Sequence, residues 1–524
     1  MGRKPSSTFS WLVFGAAAVV FLAAYARSFQ VKPCGDDFGY INEVHRGRIE
    51  GVTALFTKSV TAQSYRPLTS VGLWAFGNID LAHATVWIRV LHLLSMIFYA
   101  AVAMLWFRSA GLARAGLLVA IFVMFLHPVL PQAVGSIDGY NSLTSSAFLW
   151  LGAWCILHFR DKPLPAAATA LICFALGAGF KEYAWGLLPL SMLTVICFWR
   201  RRRWIGIVLM TLIIGLAILA AIKVRQYTVP AESPGSFQKA VASARGWDYI
   251  SLKPADLFSN VVENSMMFVV GTLLFINSVW VYVERTPEAY MAALVAMLLV
   301  IVTVGVGLFM LLKERAHAGD EPDGADVPPP DRKGVWIVFL LLSLGAATCP
   351  AIIMKHVSEM YVPPLVLPFA ALCGLAADGW THARAPARYA ATAVALAALV
   401  SSLLTIWWKI NDLVDVGNRA DRQLRQIVSF LPPDAHDMRV WIIFPHSTSL
   451  AFRAYAVFRI TDTYLLSHGE ALGWPLPNRN LWLETGGVND LSDEGLRQYD
   501  FAKLGELVLG WDAQKKQFFK IYPK

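Results

Sequence analysis

Apolar runs of about twenty residues, the length a helix needs to cross the hydrocarbon core of a bilayer, recur along most of this chain. They lie near 10–28, 86–107, 114–131, 141–159, 164–180, 184–199, 205–222, 288–312, 335–354, 361–378 and 388–408. Such a chain is expected to be an α-helical polytopic membrane protein with about eleven transmembrane helices, because only helices or closed barrels satisfy their backbone polar groups in lipid. The composition agrees, at 56% hydrophobic and only 15% charged residues, which lies outside the soluble globular range. A net charge of +9 does not indicate a nucleic-acid partner, because the basic residues cluster beside the apolar runs, as at Arg200, Arg201, Arg202 and Arg203. Charges in that position signal topology. Of the cysteines, Cys155, Cys173 and Cys197 fall within apolar runs with no C-x-x-C spacing, so neither a disulfide framework nor a zinc site is indicated.

The N-terminal stretch has a basic start, an apolar core and Ala24-Tyr25-Ala26, which resembles a signal-peptidase site. The apolar run is long enough for a retained anchor, which is the expectation. Arg108 and Arg114, then Arg160 and Lys162, then Arg200 to Arg203 fall in alternate loops. This alternation puts the N-terminus and those loops in the cytoplasm and the loop after the first span outside. Residues 259–283 are apolar but carry Glu263, Asn264 and Asn277, and are expected to form a re-entrant or interfacial helix. The basic stretch 381–388 then lies inside, and residues 411–524 lie outside. In that last segment "RVWIIFP" and "DTYLLS" read as strands and "RQLRQIVSF" as an amphipathic helix, giving a small extracytoplasmic α/β domain after a membrane domain of residues 1–410.

Ionisable groups near membrane depth are costly and usually serve a site or a pathway. Here the unusual ones collect in the expected outer loops. The first carries the adjacent acids Asp36 and Asp37, then Tyr65 and Arg66, with His92 in the helix that follows. Later loops carry Asp138, then Lys181 and Glu182, then Arg225, and finally Lys355, Glu359 and Tyr361. Cations and acids on one face suit group transfer from a lipid phosphate. A leaving phosphate needs guanidinium or ammonium partners, and a hydroxyl attacking a sugar carbon needs a carboxylate to take its proton. No Walker A motif and no glycine-rich turn after a strand offers a nucleotide site. Two adjacent acids are compatible with a divalent metal held by Asp36 and Asp37 and equally with metal-free transfer.

In order, "CGDDFGY", "YRPL", a helix with His92, "KE" at Lys181-Glu182, "VRQY" with Arg225 and "SEMYVPPLVLPFAALCG" resemble the motifs of the GT-C superfamily of glycosyltransferases. The resemblance is to the protein O-mannosyltransferase-like and aminoarabinose-transferase-like branches, and it spans residues 8–410 in diffuse form. It implies a polyprenyl-phosphate-linked sugar as donor and a glycan, lipid or protein hydroxyl as acceptor. One of Asp36 and Asp37 would be the catalytic base, and Arg66, Arg225, Lys355 and Tyr361 would contact the lipid phosphate. Met360 stands where the family has an arginine. The competing class is a transporter or flippase of a lipid-linked sugar, but the sequence shows no internal repeat of the kind transporters carry.

Overall fold

The computed structural model describes residues 5–35, 37–57, 66–80, 83–228, 254–278, 281, 286–317, 333–352, 359–445, 466, 471–472, 481–488 and 507–523. In chain order its helices are α1 (Ser7–Tyr25), α2 (Asp37–Ile49), α3 (Ala54–Thr57), α4 (Pro67–Gly77), α5 (Ala84–Ser109), α6 (Arg114–Leu126), α7 (Leu130–Gly135) and α8 (Tyr140–His158). They continue as α9 (Pro163–Phe180), α10 (Leu187–Phe198), α11 (Arg203–Thr228), α12 (Pro254–Leu273), α13 (Pro287–His317), α14 (Lys333–Ile352), α15 (Pro363–Trp380) and α16 (Ala385–Phe430). Each run expected to span is largely helical over its described residues, although that at 114–131 breaks between Leu126 and Leu130. Among the described residues, 7 helices are long and apolar enough to cross a membrane, with shorter apolar helices at Arg114–Leu126, Glu182–Phe198 and Lys333–Cys349. The protein is an integral membrane protein.

The chain divides into a membrane unit, Met1–Ala26, His92–Val134 and Gly139–Trp408, and a second unit, Arg27–Leu91, Gly135–Asp138 and Lys409–Lys524. In the membrane unit α15 is buried over nearly its whole length. It gets close to its neighbours through glycines. A Cβ on Gly374 would lie 2.7 Å from the Gly116 carbonyl oxygen of α6, and one on Gly379 would strike the Gly307 carbonyl of α13. Small residues allow this backbone approach, and lipid, unlike water, adds no hydrophobic drive for it. Pro368 lies inside α15 and has no N–H to give to the carbonyl of Pro364. The Trp150 indole supplies that missing donor, with Nε1 2.8 Å from the Pro364 oxygen.

The turn joining α5 to α6 is held by opposite charges from distant helices. Lys333 Nζ donates to the Ala110 and Gly111 carbonyls, each at 2.6 Å, closing the C-terminal end of α5. Asp378 accepts from the N–H groups of Ala113 at 2.7 Å and Gly116 at 2.8 Å, closing the start of α6. Each charge opposes the partial charge of the helix end that it meets. Helix α12 ends at Leu273, so it covers the first part of the segment 259–283. Asn264 Nδ2 donates to the Ile352 carbonyl at 3.0 Å, and His127 Nε2 lies 2.9 Å from the Thr272 carbonyl oxygen.

The second unit holds a sheet of order β2-β1-β3-β4, formed by β1 (Arg439–Pro445), β2 (Trp482–Val488), β3 (Leu507–Asp512) and β4 (Gln517–Tyr522). Strand β1 is parallel to β2 and β3, and β4 pairs antiparallel with β3. Val440 to Phe444 are all buried, as expected of a central parallel strand covered on both faces. Val416, Ala420, Leu424 and Ile427 of α16, spaced to share one helical face, join the core beneath the sheet. "RVWIIFP" is therefore a strand and "RQLRQIVSF" ends α16, while most of "DTYLLS" lies outside the described residues. Helix α16 runs unbroken through residues 410 and 411, where the sequence reading divides the chain.

Candidate functional site

Helix α2 begins directly at Asp37, whose carboxylate suits the positive end of the helix, and Arg46 and Arg48 occupy its last turn. Asp37 is buried at 2% exposure. Its Oδ1 accepts from the Ile137 N–H at 2.8 Å and from Ser136 Oγ at 3.2 Å, and its Oδ2 accepts from the Cys34 N–H at 3.3 Å. One side chain thus fastens the acidic turn to the 3-10 turn Ile137–Gly139, which contains Asp138. One turn along α2, the Tyr40 hydroxyl accepts from Arg66 at 2.8 Å. Arg66 stands at the N-cap of α4 with Pro67 after it. Helices α2 and α4 pack closely because Gly47 faces the Trp74 ring and Gly77 faces Val44. The first turn of α2 therefore carries a buried carboxylate at Asp37 and, at Tyr40, a hydroxyl that accepts from the Arg66 guanidinium.

In the membrane unit a polar and aromatic seam gathers other candidates. His92 is fully buried, its ring 5.5 Å from that of Tyr140, which lies 6.0 Å from Phe180. Lys181 follows, breaking α9 into an extended conformation before the 3-10 turn Glu182–Gly186. It is buried at 1% exposure, and its Nζ donates to Ser142 Oγ at 2.8 Å. The ammonium lies 4.6 Å from the Tyr361 ring centroid and 5.0 Å from that of Tyr183, a desolvated cation-π arrangement. Tyr183 donates through its hydroxyl to the Met360 carbonyl, and buried Glu359 accepts from Ser278. The Asn141 amide, also buried, has no partner for its Nδ2 among the described residues.

The structure therefore groups Asp37 with Arg66 in the second unit, beside the turn of Asp138. In the membrane unit it links Lys181 with Tyr361 and sets His92 against Tyr140. Glu182 is half-buried in its turn, and Arg225 lies near the end of α11. Asp36, Tyr65 and Lys355 lie outside the described residues. Tyr40, Ser136, Ser142 and Tyr183 are partners that the sequence reading does not name. The run "YNSLTSS" at the start of an apolar helix was the signal for Ser142, because hydroxyl and amide groups are unusual in a buried span. Among the described residues no group of three or more His, Cys, Asp or Glu side chains is gathered to hold a metal ion.

No protein-family model and no curated protein sequence matches the chain. Among solved structures it is similar to ArnT from Cupriavidus metallidurans bound to undecaprenyl phosphate, at 14% identity over 96% of this chain and 93% of that one, with a TM-score of 0.47. The apo state of the same protein is similar at 14% identity, 97% and 94% coverage and a TM-score of 0.40. The arabinofuranosyltransferase AftD from Mycobacteria is similar at 13% identity, covering 84% of this chain and 31% of that one, with a TM-score of 0.41.

Proposed function

We propose that this protein is a GT-C-type glycosyltransferase that moves a sugar from a polyprenyl-phosphate donor to a hydroxyl acceptor at the outer face of a bacterial inner membrane. The observation that carries the reading is the first turn of α2, just after the first membrane helix, where the buried Asp37 carboxylate opens the helix and the Tyr40 hydroxyl accepts from the Arg66 guanidinium. The acceptor oxygen attacks the anomeric carbon and its proton passes to a carboxylate. The bond from that carbon to the phosphate oxygen breaks, and the phosphate leaves with the electron pair. A single displacement of this kind inverts the anomeric centre, through an oxocarbenium-like state that a carboxylate also stabilises.

The two acids then take different roles. Asp37 spends its carboxylate oxygens on Ile137, Ser136 and Cys34, which favours a fixed positioning group. Its neighbour Asp36 is the base. Arg66, with Arg225, Lys355 and Tyr361, is assigned to the lipid phosphate, and buried Lys181 with the unused Asn141 amide donor suits hydroxyl and phosphate oxygens of the donor.

The test is the release of polyprenyl phosphate by the purified protein from a panel of labelled polyprenyl-phosphate sugars, comparing the parent with the Asp36→Asn/Asp37→Asn double variant. The expected result is release from one donor by the parent and loss of about a thousandfold or more in the variant, the scale on which general-base and positioning effects combine. If no donor is consumed even with membrane extract added as a source of acceptor, the transferase reading falls and transport of a lipid-linked sugar becomes the reading to test.

A further inference from the structure

The residues on either side of the acidic pair are built into the core of the C-terminal sheet domain. Cys34 and Phe38 are buried with Val416, Ala420, Leu424 and Ile427 of α16 and with the inward-facing residues of β1 and β3. The strand of chain leading to the pair lies directly on α16. A Cβ on Gly417 would come within 2.5 Å of the Lys32 carbonyl oxygen and 2.8 Å of its nitrogen. Glycine is disfavoured in a helix interior relative to alanine, and here its lack of a side chain lets the two backbones touch. Lys32 Nζ is paired with Asp421 one turn further on, at 2.8 Å. From the other direction, buried Arg89 donates to the Val31 carbonyl at 3.4 Å. The second turn is seated on the same helix, since Gly135 faces Leu413 and Ile410. Asp37 joins the two turns through Ile137 and Ser136.

We infer that α16 from Ile410 to Ile427, backed by the sheet, is a positioning platform that sets the acidic turn and the Asp138 turn against each other. The C-terminal domain is then part of the catalytic apparatus and not an appended module. This inference rests on the glycosyl-transfer reading for its kinetic consequence, but the contact it describes can be tested without activity.

The experiment uses the full-length protein carrying Gly417→Ala, in a background where the cysteines other than Cys34 are replaced by alanine. Two quantities are read: the rate at which Cys34 reacts with a maleimide, and kcat and KM for the donor that the parent consumes. The added methyl meets backbone atoms, so the acidic turn must shift. The expected result is faster modification of Cys34, with kcat lowered by about a hundredfold, the cost of a displacement near 1 Å, and donor KM unchanged. Asp421→Asn, which weakens the half-exposed pairing with Lys32 and the exposed i,i+4 pairing with Arg425 but adds no atom to the contact, should move both readouts in the same direction by a few-fold and guards against a folding failure in the first variant. Gly215→Ala, where a Cβ meets nothing within 4 Å, should match the parent. Faster Cys34 labelling with unchanged kcat in both variants would overturn the inference, and so would unchanged labelling. A parent that releases no polyprenyl phosphate would defeat the glycosyl-transfer reading instead, with the labelling result still deciding whether the turn is seated on α16.

Discussion

A carboxylate that accepts from two backbone N–H groups and a hydroxyl is chemically different from one in a solvated loop, although both are written Asp. The sequence makes Asp36 and Asp37 conspicuous as a pair, yet what fixes Asp37 comes from Ile137 and Ser136, a hundred residues away. No local pattern carries that information. Lys181 was legible for the opposite reason, because a lysine between apolar runs is conspicuous wherever it points. Of its partners Tyr361 was named as well, whereas Tyr183 and Ser142 were not, being ordinary residues until the fold brings them within reach of the ammonium. His45, further along α2, has a consequence of its own. Burial, with a smaller contribution from the Arg48 charge, lowers its pKa below the ordinary imidazole value. Below that ordinary value the unfolded chain binds more protons than the folded one, so stability falls as pH drops and rises as pH increases through this window. Thermal unfolding in detergent should therefore shift to lower temperature between about pH 7.5 and pH 5.5, the range spanning the unperturbed imidazole pKa. His45→Gln should flatten that slope, and an unchanged slope would show that His45 does not contribute to it.

At the scale of elements, hydropathy was a reliable guide where structure is decided locally. The run expected at 164–180 is Pro163–Phe180, and that at 361–378 is Pro363–Trp380, because each helix satisfies its own backbone and only its length must match the bilayer. Helix α16 outlasts the apolar run that ends near Trp408, because backbone hydrogen bonding continues through the polar residues to Phe430. The short helices α2 and α4 were not anticipated. They are held by packing on each other through Gly47 and Gly77, which periodicity does not reveal. The glycines of α15 show the same dependence on context. Gly379→Leu would drive a side chain into the backbone of α13 and should destabilise the protein by about 1–3 kcal/mol or more, the usual cost of overpacking. Its unfolding temperature should fall, whereas Gly305→Leu, on α13 but with nothing within 4 Å of its Cβ, should leave it unchanged. Equal effects from the two would remove close packing as the explanation.

For the molecule as a whole, the alternation of arginine-bearing loops predicts an orientation. Alkaline phosphatase, active only outside the cytoplasm, should be active when fused after Lys524 and inactive when fused at Arg201. The reverse pattern would invert the protein and put the acidic turn on the cytoplasmic side. The charge clamp on the turn between α5 and α6 carries a consequence in time. Its two closing residues, Lys333 and Asp378, lie more than two hundred positions after the turn they complete. A ribosome adding about 5–20 residues per second leaves that turn without its clamp for tens of seconds after it has emerged. During that interval water must serve its open amides and carbonyls, so the pairing of α5 with α6 is provisional until the last part of the membrane unit has been made.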